Sequence, residues 1–214
     1  MILAIDTTAA QCAVAVVADE RTVRRVELVG RGHDRLLFSL IDAALAEAGA
    51  AYADLSRIVC CTGPGSFAGV RVGVAAARGL ALGAGLDAVG VSRFEALAAG
   101  ARVGTPGAVG VVLAGRGGTA FFQAFDVDGA PLGPPRILED AAPDPGLLDG
   151  LASLAGDGRP EWQELPRLLA DGLPDPAVLA RLGAERTVDA PPAPLYLRPP
   201  SADLPREAPP RMLE

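Results

Sequence analysis

Residues 62–83 read TGPGSFAGVRVGVAAARGLALG, a glycine-rich turn that runs straight into an alanine-rich helix. Glycines ahead of a helix start bring free N–H groups and the positive end of the helix dipole together, and that combination holds phosphate in many proteins. Three known patterns can be laid over the stretch, and each fails. A Walker A loop needs G-x-x-x-x-G-K-[ST]. Gly65 to Gly69 misses that spacing, and Val70 and Arg71 follow. A dinucleotide fingerprint needs its third glycine one residue earlier and an acidic residue on a following strand. A nucleophile elbow, G-x-S-x-G, fails because Ser66 follows Gly65 directly. The remaining reading is structural. Gly63, Pro64 and Gly65 form a tight turn, Ser66 caps the helix, and Gly69, Gly73, Gly79 and Gly83 sit among small alanines along it. Each helical glycine costs about 1 kcal/mol relative to alanine. Close approach of another element, in its own lobe or on another protein, offsets that cost.

Working outward, ILAID (2–6), CAVAVV (12–17) and TVRRVELV (22–29) read as strands of a β-meander. From Asp34 the period changes. Leu36, Leu37, Leu40, Ile41, Ala44, Leu45 and Ala48 fall at helical spacing, and Gly49 supplies a stop. RIVCCT (57–62) and AVGV (88–91) are short buried strands on either side of the glycine-rich helix, and SRFE (92–95) has the form of a capping box. AVGVVLAGRGGTAFFQAFDV (108–127) repeats the plan of the first hairpin, with Leu113-Ala114 where Ile5-Asp6 stands. Such a repeat predicts two related lobes. Residues 129–149 read as loop, LASLAGDG as a strand, and PEWQELPRLLADG and DPAVLARLGAE as short helices. In the late Pro-rich run only the YLR segment is expected to hold regular structure. The expected organisation is an N-terminal lobe over 1–104, a smaller lobe over 105–198, and a Pro-rich tail over 199–214 that is expected to be mobile.

Composition narrows the chemistry. The chain is 50% hydrophobic and 21% charged, so it can build a core. Its formal charge of −7 repels phosphate backbones, which leaves nucleic-acid contact at most secondary. All 19 basic residues are arginine, so neither Schiff-base chemistry nor a P-loop lysine is available. Cys12, Cys60 and Cys61 lack metal-ligand spacing and read as buried thiols. His33 is the only histidine, so no metal is assigned. No apolar run is expected to span a bilayer, and no leader pattern is visible, which predicts a cytoplasmic protein.

ILAIDTT, GRGHDRLL, TGPGSFAGVRVG, GLALG, GVSRFEALA and PLYLR together resemble the TsaB (YeaZ) family. The match is dense over residues 1–100, and GPGSF-x-G-[VIL]-R-[VI]-G is specific to it. This sequence departs from the family pattern in Ala68, where threonine is usual, and in Ala114-Gly115-Arg116, where an Asp-Ala-Arg-like run is usual. The resemblance implies an α/β, actin-like ATPase fold of two ribonuclease H-like lobes, with mixed sheets flanked by helices. It implies a non-catalytic subunit that pairs with TsaD, with the ATPase TsaE joining them, in placing threonylcarbamoyl on adenosine 37 of tRNAs that read ANN codons. ATP or ADP and metal are then expected on the partner subunits or at the junction, none being bound by this chain alone. A homodimer is possible without TsaD.

In catalytic relatives, carboxylates at the hairpin turns organise a metal–nucleotide site. Here Asp6 remains and Ala114 replaces its counterpart, so Asp6 is expected to be a turn residue that accepts backbone N–H groups. Asp6, Thr7, Gly115, Gly117 and Gly118 would be a vestigial nucleotide site. The partner surface is expected on the helices over 34–48 and 67–83. Its candidate contacts are His33, Leu36, Leu37, Leu40, Val70, Arg71, Val74, Ala77, Arg78 and Ala81. Two other readings are weighed. An independent ATPase or small-molecule kinase of the same fold would use Asp6 and the Gly115–Gly118 turn. A protease would use Ser66 or Cys60.

Overall fold

A computed structural model of the chain describes residues 1–18, 21–103, 106–139, 145–158 and 167–198. Strands β1 (Ile2–Asp6), β2 (Gln11–Ala18) and β3 (Arg21–Leu28) form the expected antiparallel meander. β4 (Arg57–Cys61) then pairs parallel with β1, and β5 (Asp87–Val91) pairs parallel with β4. The sheet order is β3-β2-β1-β4-β5. Helices α1 (His33–Ala48) and α2 (Phe67–Ala84) cover one face, where Leu3, Ile5 and Val14 meet Leu37, Ile41, Val70 and Val74. The strands alternate sides, so Ala4, Ala15 and Val59 point to the other face.

The second sheet repeats the first. β6 (Ala108–Ala114), β7 (Ala120–Phe125) and β8 (Arg136–Leu138) are antiparallel, and β9 (Leu151–Ala155) and β10 (Arg167–Leu168) are parallel to β6 and β9. Read from its other edge, the order β8-β7-β6-β9-β10 is that of the first sheet with each strand replaced by its repeat. This is the duplicated plan of the actin-like ATPase fold. Where the first lobe carries α1 between its third and fourth strands, the second has only a 3-10 turn, Pro145–Leu147, among the described residues.

The lobes exchange helices. α3 (Arg93–Ala101) follows the first sheet in the chain, yet Phe94 and Leu97 are buried with Val109, Val111 and Leu113 of the second. α4 (Pro176–Ala184) follows the second sheet, yet Ala177, Leu179 and Ala180 are buried against Ala4, Val59 and Val89 of the first. A cut at residue 104 therefore separates the sheets but crosses the packing. Local chemistry fixes where these helices start. Ser92 and Glu95 make the capping box in both directions, at 3.1 and 2.8 Å. Asp175 caps α4 through the Ala177 N–H at 2.8 Å, with Pro176 in the first turn. Arg57 Nη1 donates to the carbonyls of Gly183, Ala184 and Arg186, each at 2.9 Å, and so closes the other end of α4.

Three sequence expectations need correction. The 129–149 stretch is not all loop, because it holds β8. A three-residue edge strand between prolines and acids is too short to show a period. The helix expected over PEWQELPRLLADG is replaced at Arg167–Leu168 by β10, while residues 159–166 lie outside the described set, as does the tail from 199. The YLR segment holds no strand or helix, although the Leu195 N–H does donate to the Thr62 carbonyl at 2.8 Å.

The glycines of the opening stretch divide into two sets. Gly65, Gly69 and Gly73 face the β1–β2 turn. A Cβ on Gly65 would lie 2.1 Å from the Thr8 carbonyl oxygen, one on Gly69 would lie 2.1 Å from that of Thr7, and one on Gly73 would lie 2.5 Å from Thr7 Oγ1. Thr7 Oγ1 in turn donates to the Gly69 carbonyl at 2.7 Å, and the Ser66 N–H donates to the Thr8 carbonyl at 2.8 Å. The close approach is thus made by the chain's own hairpin turn. Gly79 and Gly83 are different: a Cβ there would meet nothing within 4 Å. Gly69→Ala is therefore expected to destabilise the fold by more than about 2 kcal/mol, and Gly79→Ala to stabilise it by about 0.5–1 kcal/mol. Urea unfolding of the two variants against the parent checks both signs.

Candidate functional site

The two hairpin turns are linked across the lobes through residues 172–175, Arg93 and Asp157. Asp6, Thr7 and Thr8 are fully buried at the first. Asp6 Oδ1 accepts from the Thr8 N–H at 2.9 Å and from the Thr8 hydroxyl at 2.7 Å, while Oδ2 accepts from Gln11 Nε2 at 2.7 Å. Gln11 Nε2 also donates to the Pro174 carbonyl at 2.8 Å. Asp6 is thus a turn residue that binds backbone N–H, as its position suggested, and both of its oxygens are engaged.

At the second turn, Ala114 ends β6 as Asp6 ends β1. The Gly115 N–H donates to the Thr119 carbonyl at 2.8 Å and closes the turn, leaving Gly117 and Gly118 exposed. A carboxylate reaches this turn from elsewhere. Asp157, just past β9, accepts the Ala114 N–H on Oδ1 at 3.0 Å and pairs with Arg93 Nη2 through Oδ2 at 3.0 Å. Arg93 is buried and donates twice more to the Gly172 carbonyl, at 2.9 and 2.7 Å. Gly172 has a positive φ of 64°, and a Cβ there would come within 2.8 Å of Arg93 Nη2. Residues 172–175 therefore lace the junction, with Arg24 holding Asp175 at 2.9 Å.

The sequence reading missed Gln11, Arg93 and Asp157. Arg93 stands inside the capping box SRFE, and the G-D-G of LASLAGDG follows a strand as the first turn does; those were the available signals. Both oxygens of Asp6 already accept hydrogen bonds, Ala114 brings no carboxylate of its own to the second turn, and no group of three His, Cys, Asp or Glu side chains placed to hold a metal ion occurs among the described residues.

The protease candidates stand apart from any base. Cys60 is fully buried and its thiol is pushed up to about 12, by burial first and the Asp6 carboxylate second. Cys61 is raised in the same way, by burial above all. A nucleophilic thiol needs the opposite shift. Ser66 Oγ accepts the Gly69 N–H at 3.4 Å, and the ring of the sole histidine, His33, lies against the Ala9 carbonyl at 3.0 Å.

The expected partner surface needs a larger correction. His33, Leu37, Val70, Val74, Ala77 and Ala81 are buried within the chain's own lobe, and no partner can reach them in this fold. Leu36 and Leu40 are half-buried, and Arg71 and Arg78 are exposed. The outward residues are instead Phe38 on α1 and Ala75, Gly79, Leu82 and Gly83 on α2, with Leu82 86% exposed. Counting apolar residues missed them because these stand on both sides of α2: 70, 74, 77 and 81 form the inner stripe, while 75, 79, 82 and 83 share the outer side with Arg71 and Arg78. This also corrects the membrane reading. Phe67–Ala84, with mean hydropathy 1.3, is long and apolar enough to cross a bilayer by length and composition, although its inner stripe packs on the sheet. At the start of α2, the Arg71 guanidinium lies 3.8 Å over the Phe67 ring and its Nε donates to the Tyr196 hydroxyl at 2.8 Å. That contact ties PLYLR to the first turns of α2.

Comparison with known proteins follows the same geometry. Residues 25–167 match the family model of TsaD, tRNA N6-adenosine threonylcarbamoyltransferase. Over 100 residues the chain is 40% identical to the tRNA threonylcarbamoyladenosine biosynthesis protein TsaB of Escherichia coli K12. That match takes in 47% of this chain and 43% of the relative, so less than half of the relative's length is spanned. A Pseudomonas aeruginosa crystal structure described as similar to peptidase YeaZ superposes with a TM-score of 0.77 at 25% identity, covering 92% of this chain and 99% of that one. A second, YeaZ from the same organism, gives 0.72 at 26% identity, over 86% and 90%.

The chain belongs to the TsaB (YeaZ) family.

The relatives that carry the TsaB name are described as tRNA threonylcarbamoyladenosine biosynthesis proteins. The buried cysteines offer a simple check of the packing. Cys60 and Cys61 should resist a thiol reagent in the native protein at mildly alkaline pH and react fully in denaturant; prompt native labelling of either would contradict their burial.

Proposed function

We propose that this chain is a non-catalytic scaffold subunit that docks on a TsaD-type transferase and activates it for threonylcarbamoylation of adenosine 37 in ANN-decoding tRNAs. The observation that carries this reading is the outer face of α2. Ala75, Gly79, Leu82 and Gly83 are exposed and small or apolar, and Phe38 of the neighbouring helix α1 is exposed as well. Small side chains let a second pair of helices approach closely, and exposed leucine and phenylalanine supply burial once they arrive. Exposed apolar patches of this kind mark protein–protein contact in water-soluble folds.

The rest of the chain supports the same reading. Its turn carboxylate is spent on Thr8 and Gln11, so a metal–nucleotide site belongs on the partner or at the junction. An ATPase subunit of the TsaE kind would join the pair there. The net charge of −7 leaves the primary grip on tRNA to other subunits. A cytoplasmic location follows from that role.

The test is a solution mass and a binding titration with the TsaD-type subunit of the same organism. A one-to-one complex is expected, with any self-dimer dissolving to form it. Ala75→Glu should weaken that complex by more than about tenfold, since it places an unpaired charge in the contact, while leaving the fold intact. Ala77→Glu should instead unfold the chain, because Ala77 is fully buried. Full affinity in Ala75→Glu would refute the assigned face. Absence of any complex with the parent chain would refute the scaffold role.

A further inference from the structure

The outer face of α2 ends in a groove of about 510 Å³ that wraps the helix C-terminus. Leu82, Leu86, Val188 and Pro191 supply its apolar walls. Its charged lining is Arg78, Asp87 and Asp189. Neither carboxylate makes a hydrogen bond or ion pair with any described residue. The helix end itself carries partial negative charge from its carbonyls, and α2 has no basic residue in its last turn. Gly85 and Leu86 both return their N–H groups to the single carbonyl of Ala81, so they do not cap the carbonyls of Leu82, Gly83 and Ala84. An apolar slot therefore lies beside an anionic patch assembled from two side chains and a helix end.

We infer that this groove is the specificity pocket of the docking face. It takes an apolar side chain of the transferase subunit that stands next to a lysine or arginine on the same element. The inference rests on the scaffold reading and adds which chemistry of the partner is recognised, and where. The apolar side chain fills the slot between Leu82, Leu86 and Val188. The neighbouring cation answers Asp87, Asp189 and the carbonyls that end α2. Arg78, one turn earlier on the helix, repels a misplaced cation and so helps set the direction of approach.

The experiment compares binding of the same TsaD-type subunit to the parent chain and to an Asp87→Asn, Asp189→Asn double variant, from about 0.05 to about 0.3 M salt. Both positions are exposed, and thermal melting checks that the fold is unchanged. The expected result is about tenfold weaker binding at low salt and a flatter salt dependence, with most of the change in the association rate. A further Val188→Trp variant, which fills the slot from an exposed position, should lower affinity at every salt concentration. Unchanged affinity and salt dependence in these variants, with the parent still binding, overturns the groove assignment and leaves the scaffold reading intact. A parent chain that does not bind the subunit overturns both. Variants that dissolve a self-dimer yet bind the transferase subunit as the parent does would make a second copy of this chain the occupant, and that result also overturns the assignment.

Discussion

The first lobe depends on the seating of the β1–β2 turn on the start of α2. Thr7 and Thr8 press their carbonyl oxygens into places that only glycine leaves open, at Gly65 and Gly69. The contact is sealed by Thr7 Oγ1 on the Gly69 carbonyl and by the Ser66 N–H on the Thr8 carbonyl. Several consequences follow. The turn is buried, so Asp6 must find its partners within the chain, and it does so in Thr8 and Gln11. Gln11 then reaches Pro174, and residues 172–175 pass on to Arg93 and Asp157 at the second turn. A loop that resembles a phosphate cradle is in fact the receptor for the protein's own hairpin.

That arrangement divides α2 between two tasks. Its inner glycines serve the fold, and its outer glycines and alanines stand exposed on the face where the proposed docking would occur. The helix exchange between lobes adds rigidity beneath this face. α4 from the far end of the chain braces the first sheet through Ala177 and Leu179, and Gly183 approaches Val59 closely enough that a Cβ would lie 2.3 Å from it. A face held on a rigid support loses little side-chain and backbone freedom when it binds, which favours tight docking.

Much of the fold was legible because local signals agreed. The strands at 2–6 and 57–61, the Ser92–Glu95 box and the Gly49 stop all follow from period and capping chemistry, and the repeat of the first hairpin at 108–125 announced the second lobe. The glycine segment was legible as structural by elimination of the phosphate motifs. What it packs against was not, since close approach is a tertiary fact. The site was read less well. Val70, Val74, Ala77 and Ala81 were named as candidate contacts although they face the core, because apolar residues stand on both sides of the helix and the two exposed arginines, Arg71 and Arg78, were not used to set its phase. Arg93 and Asp157 lie 64 residues apart, and neither spacing nor composition announces a pair that only the junction of two lobes brings to 3.0 Å.

The hairpin turns are engaged within the chain, and the proposal built on that engagement is that they carry no nucleotide of their own. The most direct test is an amide NMR titration of the isolated protein with magnesium ATP. The account predicts that the signals of Asp6, Thr8, Gly115, Gly117 and Gly118 stay in place as nucleotide is added. A saturable shift of those signals, lost in Asp6→Ala, would contradict it.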